Sequence, residues 1–130
     1  FNVINDAYNA SPMSTKAALS NLAKVTDGRK ILVMGDMFEL GSVEVKAHED
    51  IAVQAKEAGV SIIVTRGTLT QNTARKAREI GIPEVYECAN HEEAVATLKK
   101  VLQKDDTVLF KGSHGMHMEK IIELLENEYK

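Results

Sequence analysis

Lys111-Gly112-Ser113-His114-Gly115 places a cation, two glycines, a hydroxyl and an imidazole directly after an apolar run. A strand ending in such a turn and passing into a helix aims backbone N–H groups and a positive dipole end at one spot, which suits an anion. Lys111 adds a full charge, and His114 and His117 add ring N–H donors. The plainer reading is a glycine turn that needs positive φ and carries surface histidines; a short glycine motif does not separate the two. A second turn, Gly35-Asp36-Met37-Phe38-Glu39-Leu40-Gly41, also follows an apolar run. Its carboxylates can hold a metal, orient a cationic group or cap the next helix, and for Asp36 local turn chemistry is the simpler role. The third turn is Asn5-Asp6-Ala7-Tyr8-Asn9-Ala10-Ser11-Pro12. There Asp6 can accept from ribose hydroxyls and Tyr8 can stack on a base, or Asn5 and Asn9 simply bond to their own backbone.

Two further side chains invite chemistry. His48 falls on the inward stripe of a helix, where a lone histidine is usually a hydrogen-bonded core residue. Cys88 is the only cysteine, so no disulfide framework exists, and a reducing, cytoplasmic setting is expected. It lacks the local signature of a nucleophile. No Gly-x-x-x-x-Gly-Lys-Ser/Thr loop and no Gly-x-Gly-x-x-Gly occurs, so no triphosphate cradle is expected within these residues.

Apolar periodicity supplies the elements that must position these turns. Strands are expected at 2–6, 30–34, 60–65, 84–88 and 107–110, with the less apolar 84–88 near an edge. The continuous Ile31-Leu32-Val33 run implies a strand covered on both faces. Ser11 and Pro12 open the first helix. The second should span 43–58, with Val45, His48, Ile51, Ala52 and Ala55 inward. Thr68 can cap the third, Asn90 and Glu93 form a capping-box-like start for the fourth, and Met118, Ile121, Ile122 and Leu125 make the last amphipathic.

Five successive βα units specify an α/β fold: a Rossmann-like, doubly wound, mostly parallel sheet of five to six strands with helices on both faces, in a single domain spanning 1–130. In such sheets ligands bind beyond the carboxyl ends of the strands, where all three turns fall. The 130 residues are 44% apolar and 27% charged, as in a soluble globular domain. A net charge of −3 offers no basic field for nucleic acid or anionic membrane, and no run reaches membrane-spanning length. Phe1 is no initiator, so a piece of a longer protein is expected.

Taken in order, the three turns resemble the C-terminal domain of the Mur ligases. Asp6-Ala7-Tyr8-Asn9-Ala10-Ser11-Pro12 with Lys16-Ala17-Ala18-Leu19 is similar to the family's Asp-x-Tyr-Asn-Ala-Asn-Pro segment. Gly35-Asp36-Met37-Phe38-Glu39-Leu40-Gly41 with His48 resembles its Gly-Asp-Met-x-Glu-Leu-Gly element, and Lys111-Gly112-Ser113 with Met116 and Glu119 its Lys-Gly-Ser-Arg segment. His114 and His117 depart from it, standing where the family commonly has arginine, and Glu44 stands where a serine is usual.

The resemblance implies the last domain of a three-domain, ATP-dependent amide ligase of peptidoglycan-precursor synthesis, serving cell-wall biogenesis, cell shape and division. A central domain would hold the phosphate loop and Mg2+. The nearest member joins D-alanyl-D-alanine to UDP-N-acetylmuramoyl-tripeptide through an acyl phosphate. By matching motif, Asp6, Tyr8 and Asn9 would contribute to ATP binding. Asp36, Lys111, Gly112, Ser113 and His114 would face the dipeptide or the transferring phosphate. No catalytic residue and no metal ligand is expected in this domain alone, and the isolated chain is expected not to ligate. Two other readings share the alternation. A receiver-type signalling domain would need a phosphoacceptor aspartate after the third strand, where Thr65-Arg66 stands. A non-catalytic nucleotide-binding module should bind ATP unaided.

Overall fold

Residues whose side chains alternate between two covered faces build the centre of this molecule, a computed structural model that describes residues 1–8 and 10–129. Five strands, β1 (Asn2–Asp6), β2 (Lys30–Gly35), β3 (Val60–Arg66), β4 (Glu84–Cys88) and β5 (Thr107–Lys111), form one sheet in the order β1-β5-β2-β3-β4. Every pairing is parallel. The strands β2, β3 and β5 are central and almost wholly buried, whereas β1 and β4 form the edges. The weaker apolarity of residues 84–88 is thus explained by an edge position.

Between strands run α1 (Pro12–Leu22), α2 (Glu44–Glu57), α3 (Thr70–Glu79) and α4 (His91–Val101), and α5 (Glu119–Glu128) follows β5. The chain steps from β1 through β2 and β3 to β4 in one direction, then doubles back to insert β5. Right-handed crossovers therefore place α1, α2 and α3 on one face and α4 on the other, where α5 joins it. The two cores show this division. Leu32, Met34 and Ile63 pack with Leu19, Leu22, Ile51, Ala55 and Ala77 on one side. Ile31, Val33, Val64 and Phe110 pack with Ala94, Leu98, Ile121 and Leu125 on the other.

Local chemistry sets most helix starts. Ser11 accepts from the Ser14 N–H at 3.0 Å while its own N–H donates to Ser14 Oγ at 2.9 Å, a reciprocal cap with Pro12 just inside it. Asn90 Oδ1 accepts from the Glu93 N–H, and Glu93 accepts in turn from the Ala89 N–H. Three helical expectations change. A turn of 3-10 helix at Gly41–Val43 precedes α2, and Val45 in the first turn of α2 is exposed, with Ala47 buried instead. Thr68 does not cap α3 with its side chain; that job falls to a residue from another loop. The last helix begins at Glu119, after a 3-10 turn at His114–Met116 and a left-handed His117, because Met116 and Met118 must both turn into the core.

Candidate functional site at the carboxyl ends of β1, β5 and β2

The insertion of β5 between β1 and β2 makes neighbours of three turns that lie far apart in sequence. Asp6 and Met34 both stand in register with Lys111, one on each side. The connection after β5 leaves toward α5 while those after β1 and β2 leave toward the opposite face. Connections that part in this way mark a switch point, the usual ligand position in such sheets.

Lys111 ends β5 at that point. Its side chain is 1% exposed, and Nζ donates to Asp6 Oδ2 at 3.1 Å and to Ser14 Oγ at 3.3 Å. Asp6 is about half exposed, so it can offer acceptor capacity outward while balancing the buried cation. The ring of Tyr8 is largely exposed beside it. Asn9 lies outside the described residues.

Two hydrogen bonds lock the β5 turn to the β2 turn. The Ser113 N–H donates to the Asp36 carbonyl at 3.0 Å, and the Phe38 N–H donates to Ser113 Oγ at 3.1 Å. Gly112 must be glycine for a steric reason: an added Cβ would lie 2.5 Å from Met118 Cγ and 3.3 Å from Gly35 Cα. His114 and His117 are exposed and meet edge to face at 5.9 Å, and His117 Nδ1 lies 3.4 Å from Glu119 Oε1. The N-terminus of α5 lies beyond the His114–Met116 turn and carries Glu119 in its own first turn, which offsets part of its dipole there.

Asp36 is buried, and its carboxylate points into the protein. Oδ2 accepts from the Thr68 N–H at 3.1 Å and Oδ1 from the Thr70 N–H at 2.9 Å. One carboxylate thus caps α3 from the end of β2 and fastens two rim loops together. A Cβ on Gly67 would overlap it. His48, fully buried, is a second fastener: Nε2 accepts from the Met37 N–H at 3.0 Å and Nδ1 lies 2.7 Å from the Glu44 carbonyl. These partners assign the proton to Nδ1, and the core role fits all of them. Burial pushes the Cys88 thiol up, against a weaker opposing contact from Thr97 Oγ1, so little thiolate is available there.

Sequence reasoning thus locates the loops and the core role of His48, but not the other contacts that fasten the rim. Ser14 as a partner of Lys111 and Met118 as the lid over Gly35 and Gly112 are consequences of tertiary packing.

Comparison with known proteins shows the family and the fold. The family model described as Mur ligase, glutamate ligase domain, matches residues 1–114. The UDP-N-acetylmuramoyl-tripeptide--D-alanyl-D-alanine ligase of Bacillus subtilis (strain 168) is 34% identical over 128 residues, covering 96% of this chain and 28% of that protein. Among solved structures, MurF from Acinetobacter baumannii superposes with a TM-score of 0.84 at 29% identity, over 96% of this chain and 28% of that one. The MurF ligase from Thermotoga maritima in complex with ADP superposes with a TM-score of 0.78 at 25% identity, over 97% and 28% respectively. The chain therefore spans little more than a quarter of the length of these relatives. A receiver-type domain is not favoured: its strand order is 2-1-3-4-5, with β1 inside the sheet, whereas here β1 is an edge.

Proposed function

The chain belongs to the Mur ligase family, as its glutamate ligase domain, and from that premise we propose that it is the C-terminal domain, residues 1–130, of a cytoplasmic ATP-dependent ligase. The parent enzyme joins D-alanyl-D-alanine to UDP-N-acetylmuramoyl-tripeptide in peptidoglycan-precursor synthesis. One observation carries this reading: three loops converge around a buried lysine at a sheet switch point, yet the same residues contain no phosphate loop. Half of a phosphoryl-handling site is present.

In the proposed reaction ATP phosphorylates the tripeptide carboxylate, and the dipeptide amine attacks the acyl phosphate and releases phosphate. Asp6 and Tyr8 form the nucleotide side, through an outward carboxylate oxygen and an exposed ring; Asn9 is assigned to the same side by its motif. Lys111 supplies fixed positive potential near the transferring phosphate, and the Gly112–His114 backbone faces the incoming substrate. Asp36 acts by holding the β2 and β3 loops in place. Closure of this rim over the upstream domain excludes water from the acyl phosphate.

Mg2+ would neutralise charge on the nucleotide phosphates. Among the described residues no three His, Cys, Asp or Glu side chains converge on one point, and Asp36 is engaged by backbone N–H groups on both oxygens. We assign that ion to the upstream domain.

An assay of phosphate release dependent on ATP, tripeptide and dipeptide tests the reading. The full-length parent is expected to turn over and the 130-residue chain to be inert; turnover by the chain alone would refute the half-site interpretation.

A further inference from the structure

Ser14, the third helical residue of α1, serves two donors at once. Its Oγ accepts from the Ser11 N–H at 2.9 Å, which closes the helix cap, and from Lys111 Nζ at 3.3 Å. Both of those groups can only donate, so they occupy the two lone pairs of the hydroxyl. Its proton is left for Ser11, whose Oγ lies 3.1 Å away and whose carbonyl lies 3.3 Å away. The ammonium it holds is placed against ordinary stability. Lys111 is buried beside the first turn of α1, the positive end of that helix, and no acidic residue stands in that turn. Asp6 is about half exposed, so solvent screens its charge more than that of Lys111. The balance leaves positive potential at the carboxyl end of β5. A glutamate, common at this place in a capping box, would cap α1 and cancel that potential; serine caps it without charge.

Resting on the function proposed above, we infer that Ser14 is a positioning residue for ligation: it fixes the Lys111 ammonium without neutralising it, so that the charge acts on the transferring phosphate. A lysine ammonium is a point charge on a flexible four-carbon stem. Held by both Asp6 and Ser14, Nζ stays against α1; without the hydroxyl it follows the Asp6 carboxylate toward solvent, where its field is screened. Ser14 thus acts through Lys111 and touches no reacting atom.

The test reads kcat, KM and melting temperature on variants of the full-length ligase. Ser14→Ala should lower kcat about 10-fold, less than removal of the lysine charge does, with KM for ATP and for the dipeptide within about twofold of wild type. Ser11→Ala breaks the same cap but leaves Ser14 Oγ to Lys111. It should melt lower, as Ser14→Ala does, yet keep kcat within about twofold. Ser14→Glu restores a capping box and should melt near wild type, while kcat still falls at least about 10-fold. Added to Lys111→Met, Ser14→Ala should change kcat no further. Equal losses of kcat in Ser11→Ala and Ser14→Ala, wild-type kcat in either Ser14 variant, or a further loss beyond Lys111→Met overturns the assignment while the ligase reading stands. Absence of ligation by wild type would instead strike the proposed function.

Discussion

Replacing Asp36 should unfasten the rim without unfolding the chain. The carboxylate satisfies two N–H groups, one of which, on Thr70, belongs to a fully buried residue. Loss of a helix cap costs about 1 kcal/mol, and a buried N–H left without an acceptor adds about 1–3 kcal/mol. Asp36→Ala should therefore lose about 3 kcal/mol. Asp36→Asn, which retains one acceptor oxygen, should lose about half of that. For a domain of this size each kcal/mol shifts the melting temperature by roughly 3–5 °C, so the alanine variant should melt about 10–15 °C lower. A domain stable by about 5–15 kcal/mol stays folded after such a loss. Urea denaturation gives the free energies, and hydrogen exchange at the Thr70 amide reports the cap itself. A change below about 0.5 kcal/mol with Thr70 protection intact would show that this carboxylate does not hold the β2 and β3 loops.

Three other outcomes follow from the same contacts. Gly112→Ala should cost about 1–3 kcal/mol by overpacking against Met118 and the Gly35 backbone, and adding Met118→Ala should recover part of it; calorimetry of the single and double variants measures this. His48→Leu removes the acceptor of the Met37 N–H and should cost about 1–3 kcal/mol in chemical denaturation. Burial raises the Asp106 carboxyl, but the Arg29 bond at 2.7 Å, the Gln103 N–H and the Arg29 charge together hold it below its ordinary value. A depressed carboxyl stabilises the fold above the unfolded-state value of about 3.9 and loses that contribution as pH falls through its folded value. Asp106→Asn should accordingly be less stable at neutral pH and show a flatter acid limb; parallel curves for the two proteins between pH 5 and 2 would contradict this.

Periodicity carried the strands and the helical faces of this chain because each strand is either doubly covered or at an edge, and each helix has one buried stripe. The start of β1 and the Ser11–Pro12 opening of α1 were legible for the same reason: their causes are local. Strand order was not, since alternating β and α units are compatible with several windings. Yet the placement of β5 between β1 and β2 is what turns three separated motifs into one rim. The α3 cap escaped notice because its donor groups and its acceptor are more than 30 residues apart.

Whether the β1–β5–β2 rim is half of a shared active site rests on Lys111. Methionine at this position fills similar volume, and Asp6, half exposed, is not stranded as a buried charge. Lys111→Met should therefore keep the chain's melting temperature within about 5 °C, while kcat for ligation by the full-length enzyme falls at least about 100-fold, the scale of losing one electrostatic stabiliser. A stable Lys111→Met ligase with kcat within about twofold of wild type would mean that this rim holds the fold together and takes no part in the chemistry.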